Sequence, residues 1–305
     1  VAVNQLAIVV GILFSYCSNW LLVDIGVNSW RWMFEVEAVP ALFFTLALFL
    51  IPESPRWLVK NQQDKKAREV FRRIGGEDYA DKEIELVHGM LDHEEGGFRE
   101  LLQPKLRLVL FVGFALAIFS NFTGINVIIY YGTEIFTMAG FVEKATSFRA
   151  QMIIGLINLI FTFVGMALID RVGRKIIHVV AYALMTLSML ALGLMFGMKE
   201  VNPVFMVIPV MTYVASFSTG VGVVIWVYLS EIFPNKIRGA AMGIATMLVW
   251  SANFAVTQFF PVLRDVMGGS VFYLFTVASF IAFIFTLTRM KETKGLQLEE
   301  IENVF

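Results

Sequence analysis

Residues 119–136 read FSNFTGINVIIYYGTEIF. Ser120, Asn121, Thr123, Gly124 and Asn126 stand inside a strongly apolar run. An amide or hydroxyl surrounded by hydrocarbon costs free energy unless something bonds it, and Gly weakens a helix. The chemistry such a cluster offers is hydrogen bonding, to a neighbouring helix or to a polar solute. Tyr130 and Tyr131 follow at once and add two phenols. Glu35 and Glu37 stand near the end of another apolar run. A carboxylate inside a membrane is expensive and usually functional. Both lie within about two helical turns of that segment's end, where water reaches them without any function. No nucleophile–base pair, phosphate loop or metal cluster is visible, which argues against an enzyme. His88 and His93 read as solvated surface histidines, so no metal and no cofactor is expected.

The elements that must hold these groups follow from composition. The chain has 305 residues, is 58% hydrophobic and only 16% charged, and has 29 Phe. That excess of apolar residues points to an all-α polytopic membrane protein. A spanning helix needs about 20 apolar residues. Eight segments qualify: 2–24, 31–51, 106–137, 148–169, 176–198, 203–230, 239–263 and 270–289. The third is too long for one straight span, and it contains the polar cluster. A net charge of −1 gives no reason to expect a nucleic-acid partner. Cys17 is the one cysteine, so no disulfide within the chain is possible. The chain opens directly in an apolar segment with no starting Met, which reads as an incomplete protein.

Lys and Arg placement sets the orientation. With the long charged insertion 52–105 on the cytoplasmic side, 19 of the 24 Lys and Arg fall on that side and 5 on the other. The short connectors alone give 8 against 5. Both ends of the chain are therefore expected in the cytoplasm. Within the insertion, Ala67, Val70, Phe71 and Ile74 share one helical face before Gly75 and Gly76, and Ile84, Val87 and Leu91 share another. These read as short amphipathic helices docked on the bundle.

Five motifs then occur in order: PESPRWL (52–58), GIN with YY (124–126, 130–131), DRVGRK (170–175), SEIFPNKIRG (230–239) and KETKGLQLEEIE (291–302). In this series the chain resembles the sugar porter family of the major facilitator superfamily, whose members have twelve spans in two halves. The resemblance implies that residues 1–51 are the last two helices of the N-terminal half and 52–105 a cytoplasmic linker. Residues 106–290 would then be the C-terminal six-helix half and 291–305 a cytoplasmic tail. The first four spans of the fold, TM1–TM4, would precede residue 1.

The resemblance implies a site for a sugar or related polyol near the bilayer midplane. Sugar hydroxyls leaving water need partners, since each one buried unpaired costs about 1–3 kcal/mol. Gln5, Asn121 and Asn126 would supply amides, Trp226 and Trp250 indoles, and Tyr130 a phenol beside Gly222. Gly124 and Tyr131 would form the hinge and lid of a gate. Alternatively, Gln5 would only bond a neighbouring helix, Trp226 would pack in the core, and Tyr131 would be an interface aromatic. A second constellation, Glu53, Arg56, Asp170, Arg171, Arg174, Glu231 and Arg238, would form an inner ion-pair network. Its plain reading is a set of solvated charges, each pair contributing about 0–1 kcal/mol. The resemblance implies a role in proton coupling for Glu37, which aligns with an acidic residue of the family; otherwise it is a carboxylate that water reaches near the outer surface.

The sequence also departs from the family. Ser120 and Asn121 occupy the places of paired glutamines, Val249 and Ile12 those of further amides, and Gly222–Val223 that of a Gly-Pro step. Three shortened or lost amide contacts would weaken ordinary pyranose binding by about two to three orders of magnitude. The functional expectation is sugar or polyol transport by alternating access, with proton-coupled symport in the full-length protein. The alternatives are a sugar-binding membrane sensor and an inactive truncated product.

Overall fold

The computed structural model describes residues 2–92, 98–141, 143–198 and 202–295. Every regular element among them is a helix. The first is α1 (Ala2–Leu22). The span expected at 31–51 is two short helices, α2 (Ser29–Val36) and α3 (Ala38–Leu48), parted at Glu37. Pro40 is the physical cause. It has no N–H to give the Val36 carbonyl, and its ring crowds that carbonyl. The Glu37 N–H makes a tighter bond of 3.2 Å back to Phe34.

The insertion folds into α4 (Pro55–Lys60), α5 (Asp64–Gly75) and α6 (Glu77–Asp92). Pro55 pre-sets the first turn of α4, and Gly76, at φ +88°, ends α5. The expected apolar faces meet one another: Leu58, Val59, Ala67, Phe71, Ala80 and Val87 form a separate small core. The three helices cover these apolar faces among themselves, and a 3₁₀ turn, Phe98–Leu102, follows in the chain. Its Leu101 enters the bundle core and its Glu100 pairs with Lys236 at 2.5 Å. Ile74 does not share the buried face and is 65% exposed. His93 and the tail from residue 296 lie outside the described residues.

The long third apolar run is three helices, α7 (Arg107–Phe122), α8 (Ile125–Tyr130) and α9 (Gly132–Met138). Then come α10 (Lys144–Val172) and α11 (Arg174–Gly197). Next, α12 (Pro203–Ser216) passes through a π-helical segment, Phe217–Gly222, into α13 (Val223–Ile232). Last are α14 (Arg238–Met267) and α15 (Val271–Arg289). Six stretches of the described residues are long and apolar enough to cross a membrane, and the last of them, Arg238–Arg289, holds both α14 and α15. Seven of the eight expected spans correspond to these stretches. The exception is the one interrupted at Glu37.

Two cores fill the bundle. One joins α7, α13 and α14 through Leu116, Ala117, Leu229, Phe233 and Ala245. The other joins α8, α11, α12 and α15 through Ile128, Met185, Tyr213 and Phe272. Lipid tails are as apolar as these side chains, so close packing rather than water exclusion holds such helices together. Gly165 shows how close they come. A Cβ there would lie 2.5 Å from the Thr219 carbonyl oxygen of the π segment.

Candidate functional site

The polar cluster sits where α7 stops. Gly124 takes φ +92°, in the left-handed region, and a Cβ on it would meet the Phe275 ring at 2.7 Å. Both the turn and the packing therefore require Gly. The break releases backbone groups that side chains then satisfy. Tyr213, on α12, donates its hydroxyl to the Thr123 carbonyl at 2.7 Å.

Beside the break runs a chain of short polar contacts. Asn126 donates its amide to the Asn121 carbonyl oxygen at 2.6 Å. Asn121 donates to the Ser120 hydroxyl at 3.0 Å, and Ser120 to the Ala117 backbone carbonyl at 2.7 Å. Ser120 and Asn121 are buried, whereas Asn126 is half-buried. The relay answers the cost of placing amides in an apolar helix, since each has a partner. Each primary amide has two N–H groups and two lone pairs, so capacity remains on Asn126 for a further partner.

Gln5 and Gly222 come together. A Cβ on Gly222 would stand 3.5 Å from the Gln5 side-chain nitrogen. Trp226, one turn further along, is half-buried against the core that holds Leu229. Trp250 is 60% exposed on α14, and Tyr130 is 53% exposed at the end of α8. Tyr131 turns the other way. Its hydroxyl donates to the Thr257 carbonyl at 3.1 Å, and its ring lies 5.1 Å from that of Phe260. The two adjacent tyrosines thus differ: one offers an exposed face, and the other fastens the broken helix to α14.

Buried amides outside the expected set join this region. Asn158, on α10, is 6% exposed and accepts the Ser218 hydroxyl at 2.7 Å. Asn253, on α14, is 7% exposed, and its carbonyl oxygen has no hydrogen-bond partner among the described residues. The signal for Asn158 was in the spacing. Gln151, Gly155, Asn158, Thr162 and Gly165 recur every three or four residues, which places them on one face of α10.

The second constellation lies at one end of the bundle, where α10 passes into α11 beside the end of α13. Arg174 holds Glu231 with bonds of 2.8 and 3.2 Å to one carboxylate oxygen, and pairs with Asp170 at 3.1 Å. The Arg174 and Glu231 side chains are only 12% and 22% exposed, so this pair is far less screened than a surface one. Arg238 donates to the Phe233 carbonyl at 3.1 Å, and Arg171 offers its backbone carbonyl to the Lys294 ammonium at 2.5 Å. The segment after α15 completes the cluster. Glu292 accepts the backbone N–H groups of Arg174 and Lys175 at 2.8 and 3.0 Å, capping α11 with a carboxylate. Thr293 donates to Glu231 at 2.6 Å. The KETKG motif flagged this segment, though neither residue stood among the expected network members. Glu53 lines a surface cavity of about 450 Å³ with Trp57, Lys66 and Arg73. Arg56 lies in the first turn of α4. Glu37 is exposed at the α2–α3 break.

At the other end of the bundle Arg264 of α14 pairs with Glu134 of α9 and with Asp265, the latter at 2.8 Å.

A family model described as sugar (and other) transporter matches residues 1–305. The arabinose-proton symporter of Bacillus subtilis is 38% identical over 309 residues, which cover 99% of this chain and 66% of that protein. The D-xylose-proton symporter of Escherichia coli is 34% identical over 315 residues, covering 99% of this chain and 64% of that one. The chain thus spans just under two thirds of the length of these relatives. Among solved structures, the xylose transporter of E. coli in a partially occluded, inward-open conformation superposes with a TM-score of 0.85 at 32% identity. That match covers 97% of this chain and 64% of the transporter.

Proposed function

The chain belongs to the sugar (and other) transporter family, and from that premise we propose that the full-length protein carries a sugar or related polyol across the membrane by alternating access. The observation that carries the reading is the amide relay at Gly124. It sets Asn126, half-buried and with capacity to spare, beside a break inside a stretch long enough to cross a membrane. Gln5 beside Gly222, and Trp226 one turn on, supply an amide and an indole on the facing elements. No covalent step is needed. A hydroxylated solute exchanges its water for these groups, and the exchange favours binding only where each hydroxyl finds a partner.

In this reading α1 to α3 belong to the N-terminal half, α7 to α15 are the C-terminal half, and α4 to α6 link them in the cytoplasm. The proton is the coupling ion, and both ends of the chain face the cytoplasm. The relatives are named for arabinose and xylose with proton symport, which supports that choice.

The test is uptake by full-length protein in lipid vesicles, offered a panel of radiolabelled sugars and polyols. Asn126→Ala and Trp226→Ala are expected to abolish uptake while expression stays intact. Unchanged uptake in both variants overturns the site. Solute-dependent alkalinisation of the outside medium is expected if the proton is carried inward with the sugar, and its absence overturns the coupling.

A further inference from the structure

The broken helix has a second interruption, and what holds it there is not explained by the solute site. Tyr131, at φ −107°, separates α8 from α9. The interruption frees the Ile129 carbonyl from the regular helical ladder, and two side chains take it up. The Tyr16 hydroxyl of α1 donates to it at 2.8 Å, and the Gln151 amide of α10 donates to it at 2.9 Å. Tyr16 is buried at 8% exposure and Gln151 at 5%.

The surroundings are shaped for this contact. A Cβ on Gly155 would lie 2.8 Å from the Tyr16 ring, so the glycine is what lets the ring lie across α10. A Cβ on Gly132 would lie 3.1 Å from the Gln151 nitrogen. Three elements distant in sequence therefore converge on one carbonyl oxygen. α8 itself has only six residues between two breaks, the left-handed Gly124 and Tyr131, so it is free to tilt unless something outside the helix restrains it.

We propose that Tyr16 and Gln151 are positioning residues that clamp the Ile129 carbonyl and so couple the position of α1 to the tilt of α8 and α9, which carry the exposed Tyr130. Gln151 fixes the segment to its own half. Tyr16 ties it to α1, so a shift of α1 is felt at α8 through a single hydrogen bond. The inference rests on the transport reading for its consequence, but the clamp itself does not need a sugar.

The experiment uses full-length protein in lipid vesicles with Tyr16→Phe, Gln151→Met and the double variant. Both replacements keep the side-chain bulk; one removes the hydroxyl and the other the amide that donates to the carbonyl. Amide hydrogen exchange of residues 125–138 is the first readout. Each single variant is expected to raise exchange there by about fivefold, because the other donor still serves the carbonyl. The double variant leaves the half-buried carbonyl with neither donor and is expected to exceed the product of the two, more than about 25-fold. The rise is confined to this segment. No rise in the double variant, or an equal rise across α11 and α14, overturns the clamp.

The second readout separates positioning from binding. Tyr16→Phe is expected to change the maximal rate of uptake several-fold and leave equilibrium binding of the same sugar unchanged. A loss of binding with an unchanged maximal rate places Tyr16 at the solute instead and overturns the inference. A parent protein that takes up no solute refutes the transport reading, and the exchange measurement still decides the clamp.

Discussion

Asn121 serves two partners at once, accepting from Asn126 and donating to Ser120. That internal use of the amide is the residue-scale reason to expect an altered solute preference. A short side chain that bonds its own helix reaches less far into a site than the glutamines of the family pattern. Ser120→Gln combined with Asn121→Gln should extend two amides towards the solute. The expected result is about tenfold tighter binding of an ordinary pyranose, the worth of one or two neutral hydrogen bonds, read by equilibrium binding. Gly124 gives a second prediction. Alanine there takes on a left-handed backbone and a 2.7 Å approach to the Phe275 ring. A loss of about 1–3 kcal/mol is expected, seen as a lower midpoint in thermal unfolding of the purified protein.

At the scale of elements, the break between α2 and α3 and the π segment before α13 show how one residue type decides a helix's course. Pro40 interrupts the former, so Pro40→Ala is expected to join the two helices. Slower amide exchange around Glu37 would register it. The π segment ends at Gly222, within the Gly222–Val223 step where the family pattern has Gly-Pro. Without a proline, every N–H there remains a donor, and the wider turn supplies the irregularity instead. Its register is held by Gly165 against Thr219 and by Ser218 on Asn158. Gly165→Ala should push the π segment away and reduce uptake. Ala167→Gly, at an exposed position two residues further along the same helix, should leave uptake unchanged.

Much of this was legible in the sequence. The apolar runs, the breaks implied by Gly124 and by an overlong segment, and the faces carrying Ala67, Phe71 and Val87 all follow from local pattern. Ile74 was misread because it fits the same helical period but lies at the fraying end of α5, beyond the reach of α4 and α6. The π segment left no local sign. A wide turn depends on what presses against it, not on the six residues that form it.

For the whole molecule, the inner cluster is the place where separate elements are held in one arrangement. Arg174 and Glu231 join the α11 and α13 ends, and the Glu292–Thr293 segment closes over both. Hydrogen bonds to charged groups contribute about 1.5–3 kcal/mol each, enough to bias a two-state equilibrium. Glu292→Ala removes the carboxylate cap and is expected to loosen the inner end. Combined with Ser230→Cys, it should speed labelling of the new thiol by a water-soluble reagent added from the cytoplasmic side, and an unchanged rate would refute it. Glu231→Gln keeps the shape but weakens the hold on Arg174, so an intermediate increase is expected.

The sequence alone determined that this is a helical membrane protein with polar groups set at chosen depths, because hydrocarbon imposes length and composition on every segment that enters it. It also placed the break at Gly124 and the Arg174 and Glu231 charges at helix ends. Which donor meets which acceptor was decided only in three dimensions. Asn121 turned to Ser120 and Asn126, and Arg174 to Glu231 and Asp170. Tyr16, Gln151, Asn158 and Glu292 took up groups on elements far away in the chain. A hydrogen bond depends on distance and direction between two atoms, and residues 113 positions apart carry no local record of either until the helices pack.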